Sequence, residues 1–150
     1  AKTVCAFLNA DGGTLLIGVD DAGTPLGLEP DLATLKVPDL DRYELWLRDL
    51  LTASLGQNAA AMVAVDFAAV PALDGETMQV CRLCCQPSPR PVYLRVGKGV
   101  GTELWVRSGN SSRQLPVDEA ADYVMHRWPL NLGSAVAAQL KAAVRFSEAR

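Results

Sequence analysis

A short apolar run near the start of the chain is bounded on both sides by aspartate and glycine. Residues 11–13 are Asp-Gly-Gly, residues 14–19 are nearly all apolar, and residues 20–23 are Asp-Asp-Ala-Gly. Glycine just past a helix end adopts the left-handed conformation that other residues avoid, which predicts a helix ending at Ala10. A continuous apolar run of this length is typical of a strand buried on both faces. The sequence therefore predicts a central strand over residues 15–19, with Leu15 and Ile17 shielded from solvent.

The rest of the sequence predicts one helix, then four strands that follow one another closely, then two helices. Residues 41–55 place Tyr43, Leu47, Leu50, Leu51 and Leu55 at helical spacing, and Gly56 follows them. Residues 62–70 and 77–85 have the alternation of two strands, and the Asp-Gly pair at 74–75 predicts a hairpin between them. Further strands are predicted over 92–96 and 103–107, and helices over 117–128 and about 134–148. We therefore expect an α+β fold, with a mixed, mostly antiparallel sheet and flanking helices, in one domain over residues 1–150.

Length and composition set broad limits on this chain. Its 150 residues fit one hydrophobic core, and its longest apolar stretches are far shorter than the roughly 20 residues that a membrane helix needs. The chain begins at Ala1 without an initiator methionine, so we expect an N-terminally truncated fragment of a longer protein. Four cysteines in a domain of this size do not form a disulfide framework. We predict free thiols at Cys81, Cys84 and Cys85 without metal, a cytoplasmic location and no membrane contact.

Two adjacent carboxylates follow the apolar run. Asp20 and Asp21 either bond the backbone of a local turn or hold a divalent cation at a sheet edge. Because two aspartates are too few for a catalytic metal site, further carboxylates would have to come from elsewhere in the fold.

The second polar cluster lies in residues 106–113, interpreted as a loop after the last strand. Arg107, Asn110, Ser111 and Arg113 surround a glycine there, and such a loop can form an anion-binding nest with charge-assisted bonds to phosphate. The alternative is an ordinary polar connection whose hydroxyls cap the next helix. Since the net charge is −3, a nucleic-acid surface would need a local basic patch, which we expect to include Arg95 and Lys98 as well.

Three strings in the chain resemble the Schlafen AlbA-type domain. They cover residues 6–23, 91–95 and 106–115, in the family's order, and the similarity extends over about residues 2–128. The resemblance implies a mixed α/β fold that serves as a DNA-binding domain in bacterial transcriptional regulators and in Schlafen proteins. It therefore implies DNA or RNA as a partner, with no cofactor.

Two alternative functions remain at this stage. Some Schlafen members are metal-dependent RNA endonucleases, and of their acidic triad only the aspartate after the Gly-Val motif carries over, onto Asp21. That alternative implies Mg²⁺ or Mn²⁺ near Asp21 and Asp20, but the upstream glutamate strand is absent here, so catalysis by this chain is not expected.

The other alternative is an interaction domain that forms a homodimer through the alanine-rich final helix. The predicted strand over 103–107 adds Trp105, which either stacks on bases or belongs to a half-buried strand.

Overall fold

The structure, a computed structural model, describes residues 1–35, 39–98, 101–129, 139–140 and 142–145. It divides the chain into two compact units, Ala1–Pro116 and Val117–Arg150, where the sequence predicts one domain over residues 1–150. The first unit contains, in order, α1 (Lys2–Leu8), β1 (Gly13–Ile17), α2 (Glu29–Leu32), α3 (Leu40–Leu55), α4 (Gln57–Ala60), β2 (Val63–Pro71), β3 (Thr77–Cys85), β4 (Leu94–Val96), β5 (Gly101–Ser108) and β6 (Ser111–Leu115).

The first sheet has the strand order β1-β3-β2, and both pairings are antiparallel. The predicted hairpin between β2 and β3 is confirmed, since Gly75 adopts a φ of +84° and Asp74 Oδ1 accepts a hydrogen bond from Glu76 N at 3.0 Å. Across the hairpin, Arg82 and Asp66 form an exposed ion pair of 2.9 Å. The local turn therefore sets the register of the two longest strands.

The prediction that residues 15–19 form a central strand is wrong. β3 occupies the centre, and β1 pairs with β3 along one edge. Leu15 and Ile17 are half-buried against the core, but Leu16 on the opposite face is 47% exposed. The run looked like a doubly buried strand because its solvent-facing side also carries a leucine, which hides the alternation expected of a half-exposed strand.

The helix predicted over residues 41–55 is confirmed as α3, whose N-cap Asp39 accepts a hydrogen bond from Arg42 N at 2.7 Å. It ends at Gly56, which has a φ of +91°. The helix buries its stripe in the core, except that Leu50 is 38% exposed. The buried α3 residues share one cluster with side chains of β2 and β3: Tyr43, Leu47, Leu51, Leu55, Val63, Cys81 and Leu83.

The second sheet has the order β4-β5-β6, also antiparallel throughout. Residues 106–113, predicted as a loop, form a tight hairpin. Gly109 and Asn110 join Ser108 to Ser111, and Gly109 has a φ of +59° at the position where a type II′ turn requires a positive value. Sequence pattern missed β6 because its Ser-Ser-Arg-Gln start lacks apolar alternation. The α+β class is confirmed, with two antiparallel sheets among the described residues in place of a mixed one.

The second unit contains α5 (Val117–Arg127), which follows Pro116 as predicted. Its first turn carries Asp118 and Glu119, and its last turn carries His126 and Arg127, an arrangement that the helix dipole favours. Most of the predicted helix over about 134–148 lies outside the described residues, and the described part, 139–140 and 142–145, is helical. No helix in the described ranges is both long enough and apolar enough to cross a membrane.

Candidate nucleic-acid interface

Asn9, directly after α1, connects three separate segments of the first unit. Its side chain is completely buried. Nδ2 donates to the carbonyl oxygens of Val92 at 2.7 Å and Trp105 at 2.9 Å, and Oδ1 accepts from Val92 N at 2.8 Å. The amide therefore joins the end of α1 to β5 and to the segment that precedes β4, and it satisfies backbone polar groups of both.

The glycines after Asn9 allow the chain to pack closely against the end of β3 and against α1. Gly12 has a φ of +79°, and a β-carbon there would lie 2.5 Å from the carbonyl oxygen of Cys85. A β-carbon at Gly13 would lie 2.7 Å from the ring of Phe7. Ser88 adds a further link, since its backbone N–H donates to Leu8 O at 2.7 Å and its hydroxyl to Arg90 O at 2.6 Å. The string at residues 6–13 thus fixes the position of the proline-rich segment 87–91.

That proline-rich segment forms one wall of an open cleft of about 760 Å³. The wall continues to Arg95, and the opposite wall consists of residues between 55 and 62, where α3 ends and α4 begins. Thr102 of β5 also lines the cleft. Because Asn9 and Ser88 tie the first wall to α1 through buried hydrogen bonds, the cleft is held by the core of the unit.

The cleft is basic, although the whole chain is acidic. Among the described residues, its lining includes Arg90 and Arg95 and contains neither aspartate nor glutamate. Neither arginine forms a salt bridge within the described part of the chain, whereas Arg48 and Arg82 are each paired with a carboxylate. The guanidinium of Arg95 lies beside Gly56, where a β-carbon would be 3.7 Å from its Nη2. Two guanidinium groups without a salt bridge to any described residue, placed in a concave surface, provide a site for an anion.

The hairpin arginines predicted to share one anion site lie on opposite faces of the second sheet. Arg107 pairs with Ser112 in the ladder, and Arg113 pairs with buried Val106. Neighbouring ladder positions face opposite sides of a sheet, so the two guanidinium groups do not converge. Asn110 and Ser111 lie at the exposed tip, where the Ser111 hydroxyl donates to Ser108 O at 3.2 Å.

Arg107 is held by contacts within the domain. Its Nε donates to Gly109 O at 3.2 Å, its Nη1 to Ser112 Oγ at 3.1 Å, and its guanidinium lies 5.3 Å from the centroid of the Phe7 ring. A cation over an aromatic face is attracted by the ring quadrupole. Arg107 therefore helps to hold the hairpin against α1, and its partners in these contacts are neutral groups.

Arg95 belongs to a different region from the hairpin arginines. It pairs with Thr102 at the start of β5, and Arg107 lies five residues further along that strand, or about 16 Å at the usual rise per residue. Lys98 is exposed in the turn after β4. The structure thus groups Arg95 with Arg90, which the sequence patterns did not single out. The sequence does contain a feature that could have pointed to Arg90, since this residue lies between Pro89 and Pro91, next to the strand predicted over 92–96.

The aromatic side chain considered for base stacking, Trp105, is largely engaged. It is half-buried against the core, its Nε1 donates to Glu103 Oε2 at 2.7 Å, and Lys2 Nζ lies 5.0 Å from the ring centroid. These contacts agree with the interpretation of residues 103–107 as a half-buried strand. Tyr93 in the cleft wall is 44% exposed.

Asp20 bonds the local backbone, as the turn interpretation of residues 20–23 describes. Its Oδ1 accepts from Ala22 N at 2.9 Å and Thr24 N at 2.8 Å, next to the Val19–Pro25 bridge. Asp21 is exposed in the same turn. Across the ranges that the structure describes, no three side chains of His, Cys, Asp or Glu converge on one metal position.

The four cysteines carry free thiols. Cys81 and Cys85 point into the core, whereas Cys84 lies on the other face of β3 and is half-buried. The C-x-x-C spacing at 81–84 therefore directs its two sulfur atoms to opposite faces, because side chains alternate along a strand. Burial raises the pKa of Cys5, Cys81 and Cys85 to about 11.

Because the pKa values of these buried thiols are raised, we expect the folded protein to lose stability in alkaline solution. The unfolded chain releases each thiol proton near the ordinary value of 9.0, whereas the folded protein retains it to about 11. The folded state therefore binds more protons between these values, and its free energy of unfolding should fall as pH rises from 9 to 11. Urea unfolding at pH 8, 9, 10 and 11 measures this. Cys81→Val should show a shallower fall than the parent chain, and equal falls in the two proteins would contradict the prediction.

Comparison with known proteins matches the whole first unit to one family. The family model described as Schlafen, AlbA_2 matches residues 1–116, which end where the first compact unit ends. Among solved structures, the DIP2311 protein from Corynebacterium diphtheriae is 21% identical to this chain with a TM-score of 0.48, over 85% of this chain and 21% of that one. This chain therefore spans about a fifth of the length of that protein. Since the family model covers well over half of the sequence, the chain belongs to the Schlafen AlbA_2 family.

Proposed function

We propose that this chain is a regulatory domain that binds nucleic acid, specifically DNA, in the cytoplasm. In this proposal the cleft that contains Arg90 and Arg95 binds the phosphate backbone. Family membership supports a nucleic-acid-related role. The observation that carries the proposal is the cleft itself, in which two arginines without salt bridges to described residues line a concavity free of described acidic side chains. Local placement of positive charge matters here because the chain as a whole carries a net charge of −3.

Phosphate binding in such a cleft has a simple physical basis. Guanidinium groups form charge-assisted, often bidentate hydrogen bonds with phosphate oxygens, and binding releases counterions from the nucleic acid. Contacts of this kind position the backbone without reading sequence. Lys98, in the turn after β4, and the hairpin residues Arg107, Asn110, Ser111 and Arg113 stay in the proposal as separate, weaker phosphate contacts.

The other two functions have no comparable support in the described residues. RNA cleavage through Asp21 and Asp20 with Mg²⁺ or Mn²⁺ would need acidic partners beyond this turn, and Asp20 already accepts two backbone hydrogen bonds. Homodimer formation through the final helix would involve residues that lie mostly outside the described ranges.

Replacing both cleft arginines should weaken binding to nucleic acid. We expect the Arg90→Ala, Arg95→Ala double variant to lose about ten-fold or more in affinity, since even one hydrogen bond to a charged group contributes about 1.5–3 kcal/mol and about 1.4 kcal/mol is a factor of ten. Fluorescence anisotropy with labelled DNA and RNA oligonucleotides at 50 mM salt measures this. The matched control is Arg48→Ala, Arg82→Ala, which removes the same charge from two exposed, salt-bridged positions outside the cleft. Equal affinities of the two double variants would refute the cleft as the binding site.

A further inference from the structure

The wall of the cleft that carries the arginines also presents an exposed aromatic ring. Along residues 92–95 the exposure alternates, because Val92 and Leu94 are buried while Tyr93 and Arg95 are exposed. Alternate side chains of an extended segment point to opposite sides, so Tyr93 and Arg95 lie on the same side of the wall, about 7 Å apart along the chain. An aromatic ring and a guanidinium group therefore lie next to each other on the open surface of the cleft.

Hydrogen bonds on the core side of this wall fix the backbone that carries Arg90, Tyr93 and Arg95. Both backbone polar groups of Val92 are hydrogen-bonded to the buried Asn9 amide, at 2.8 and 2.7 Å. The Ser88 hydroxyl bonds to both backbone polar groups of Arg90, donating to the carbonyl at 2.6 Å and accepting from the amide at 3.3 Å. A binding surface that is ordered before its ligand arrives loses less conformational entropy on binding.

From this geometry we infer that the cleft binds unpaired nucleotides, with a base stacked on Tyr93 and the adjoining phosphates on Arg90 and Arg95. A single strand exposes the flat faces of its bases to an aromatic side chain, whereas a duplex encloses them between neighbouring pairs. The volume of about 760 Å³ lies in the range of pockets that bind small organic ligands, about 300–1,000 Å³, and is large enough for one or two nucleotides.

The opposite wall supplies groups that suit base edges. Gln57 and Asn58 line it, and each side-chain amide offers both a donor and an acceptor. Stacking tolerates any base because every base has a flat face, so this cleft should show modest sequence preference. The inference rests on the proposed nucleic-acid function and adds to it the class of ligand, a single strand of either sugar type.

The test compares variants of Tyr93 on single-stranded and duplex forms of one sequence, each as DNA and as RNA. We expect the 150-residue chain to bind the single strand more tightly than the duplex. Tyr93→Ala and Tyr93→Leu should each weaken single-strand binding by about ten-fold and change duplex binding by less than about two-fold, whereas Tyr93→Phe should bind like the parent chain. Because Tyr93 is 44% exposed, these variants should keep their melting temperature, and Tyr93→Leu retains apolar bulk where alanine does not.

The outcomes separate this inference from the proposed function. If the Tyr93 variants bind single strands as the parent does while the Arg90, Arg95 double variant loses affinity, single-strand stacking is wrong and the cleft remains the phosphate site. Tighter binding to the duplex than to the single strand would also overturn the inference. If the arginine double variant binds like the parent, the proposed function at this cleft fails independently of Tyr93. The DNA and RNA arms then decide which sugar the cleft prefers.

Discussion

Replacing Asn9 with leucine is expected to lower the free energy of unfolding by about 3–5 kcal/mol. Leucine has the same number of side-chain heavy atoms and the same branching, but it is bulkier and can neither donate nor accept a hydrogen bond. It would leave the Val92 N–H and the carbonyl oxygens of Val92 and Trp105 buried without these partners. Each buried polar group that loses its partner costs about 1–3 kcal/mol, and domains of this size are stable by about 5–15 kcal/mol in all.

Urea unfolding followed by circular dichroism measures this loss, with Gln86→Ala at an exposed position as the control. Asn9→Asp gives a second readout. A buried carboxylate next to two carbonyl oxygens should have a raised pKa in the folded state, so its stability should be greater at pH 4 and decline as pH rises. A loss below about 1 kcal/mol for Asn9→Leu would show that these hydrogen bonds do not hold α1 to β5.

Gly12→Ala is expected to be the second severe substitution, with a loss of about 3 kcal/mol or more. Two effects add at this position. A φ of +79° is costly for alanine, by about 1–2 kcal/mol, and the new β-carbon would lie 2.5 Å from the carbonyl oxygen of Cys85. That oxygen belongs to the backbone of β3, the central strand, so it cannot move without disturbing the ladder.

Gly75→Ala separates the two effects. Gly75 has a φ of +84°, nearly the same as Gly12, but a β-carbon there would meet nothing within 4 Å. Its loss of stability should therefore reflect the backbone conformation alone, about 1–2 kcal/mol. The difference between the two variants in thermal or urea unfolding measures the steric contribution. Equal losses would mean that the chain relaxes freely around residue 12.

The elements that sequence predicted well are those fixed by local patterns. Helix α3 has an N-cap, an apolar stripe and a terminal glycine within one segment, and the β2–β3 hairpin has its turn between its two arms. The position of β1 at the edge of its sheet depends instead on β3, which pairs with a strand on each side. β3 consists of residues 77–85, more than sixty positions away from their partners in β1. Strand β6 was missed because it is stabilised by pairing with β5 and by the Arg107 contacts, and its polar sequence carries no pattern of its own.

The candidate site was predictable to a smaller extent. The glycine-rich string at residues 6–23 indicated the family but not what the string does in the fold. The hydrogen bonds of Asn9 and the close packing of Gly12 depend on partners at residues 85–105, which the string itself does not reveal. The cleft is assembled from two segments about thirty residues apart, and neither contains a recognisable phosphate-binding motif. Arg95 was identified from its basic charge, whereas Arg90 and Tyr93 became candidates only when the fold placed them beside it.

The salt dependence of binding reports directly on phosphate contacts, because each phosphate that is neutralised contributes about −0.7 to the logarithmic slope for single strands and about −0.9 for duplex DNA. We expect Arg90→Ala, Arg95→Ala to flatten the slope by about 1.4 on single-stranded DNA, while Arg48→Ala, Arg82→Ala leaves it unchanged. Arg107→Ala, Arg113→Ala provides the comparison with the hairpin. A slope unaltered by loss of the cleft arginines, or flattened to the same extent by loss of the control pair, would contradict phosphate binding in the cleft.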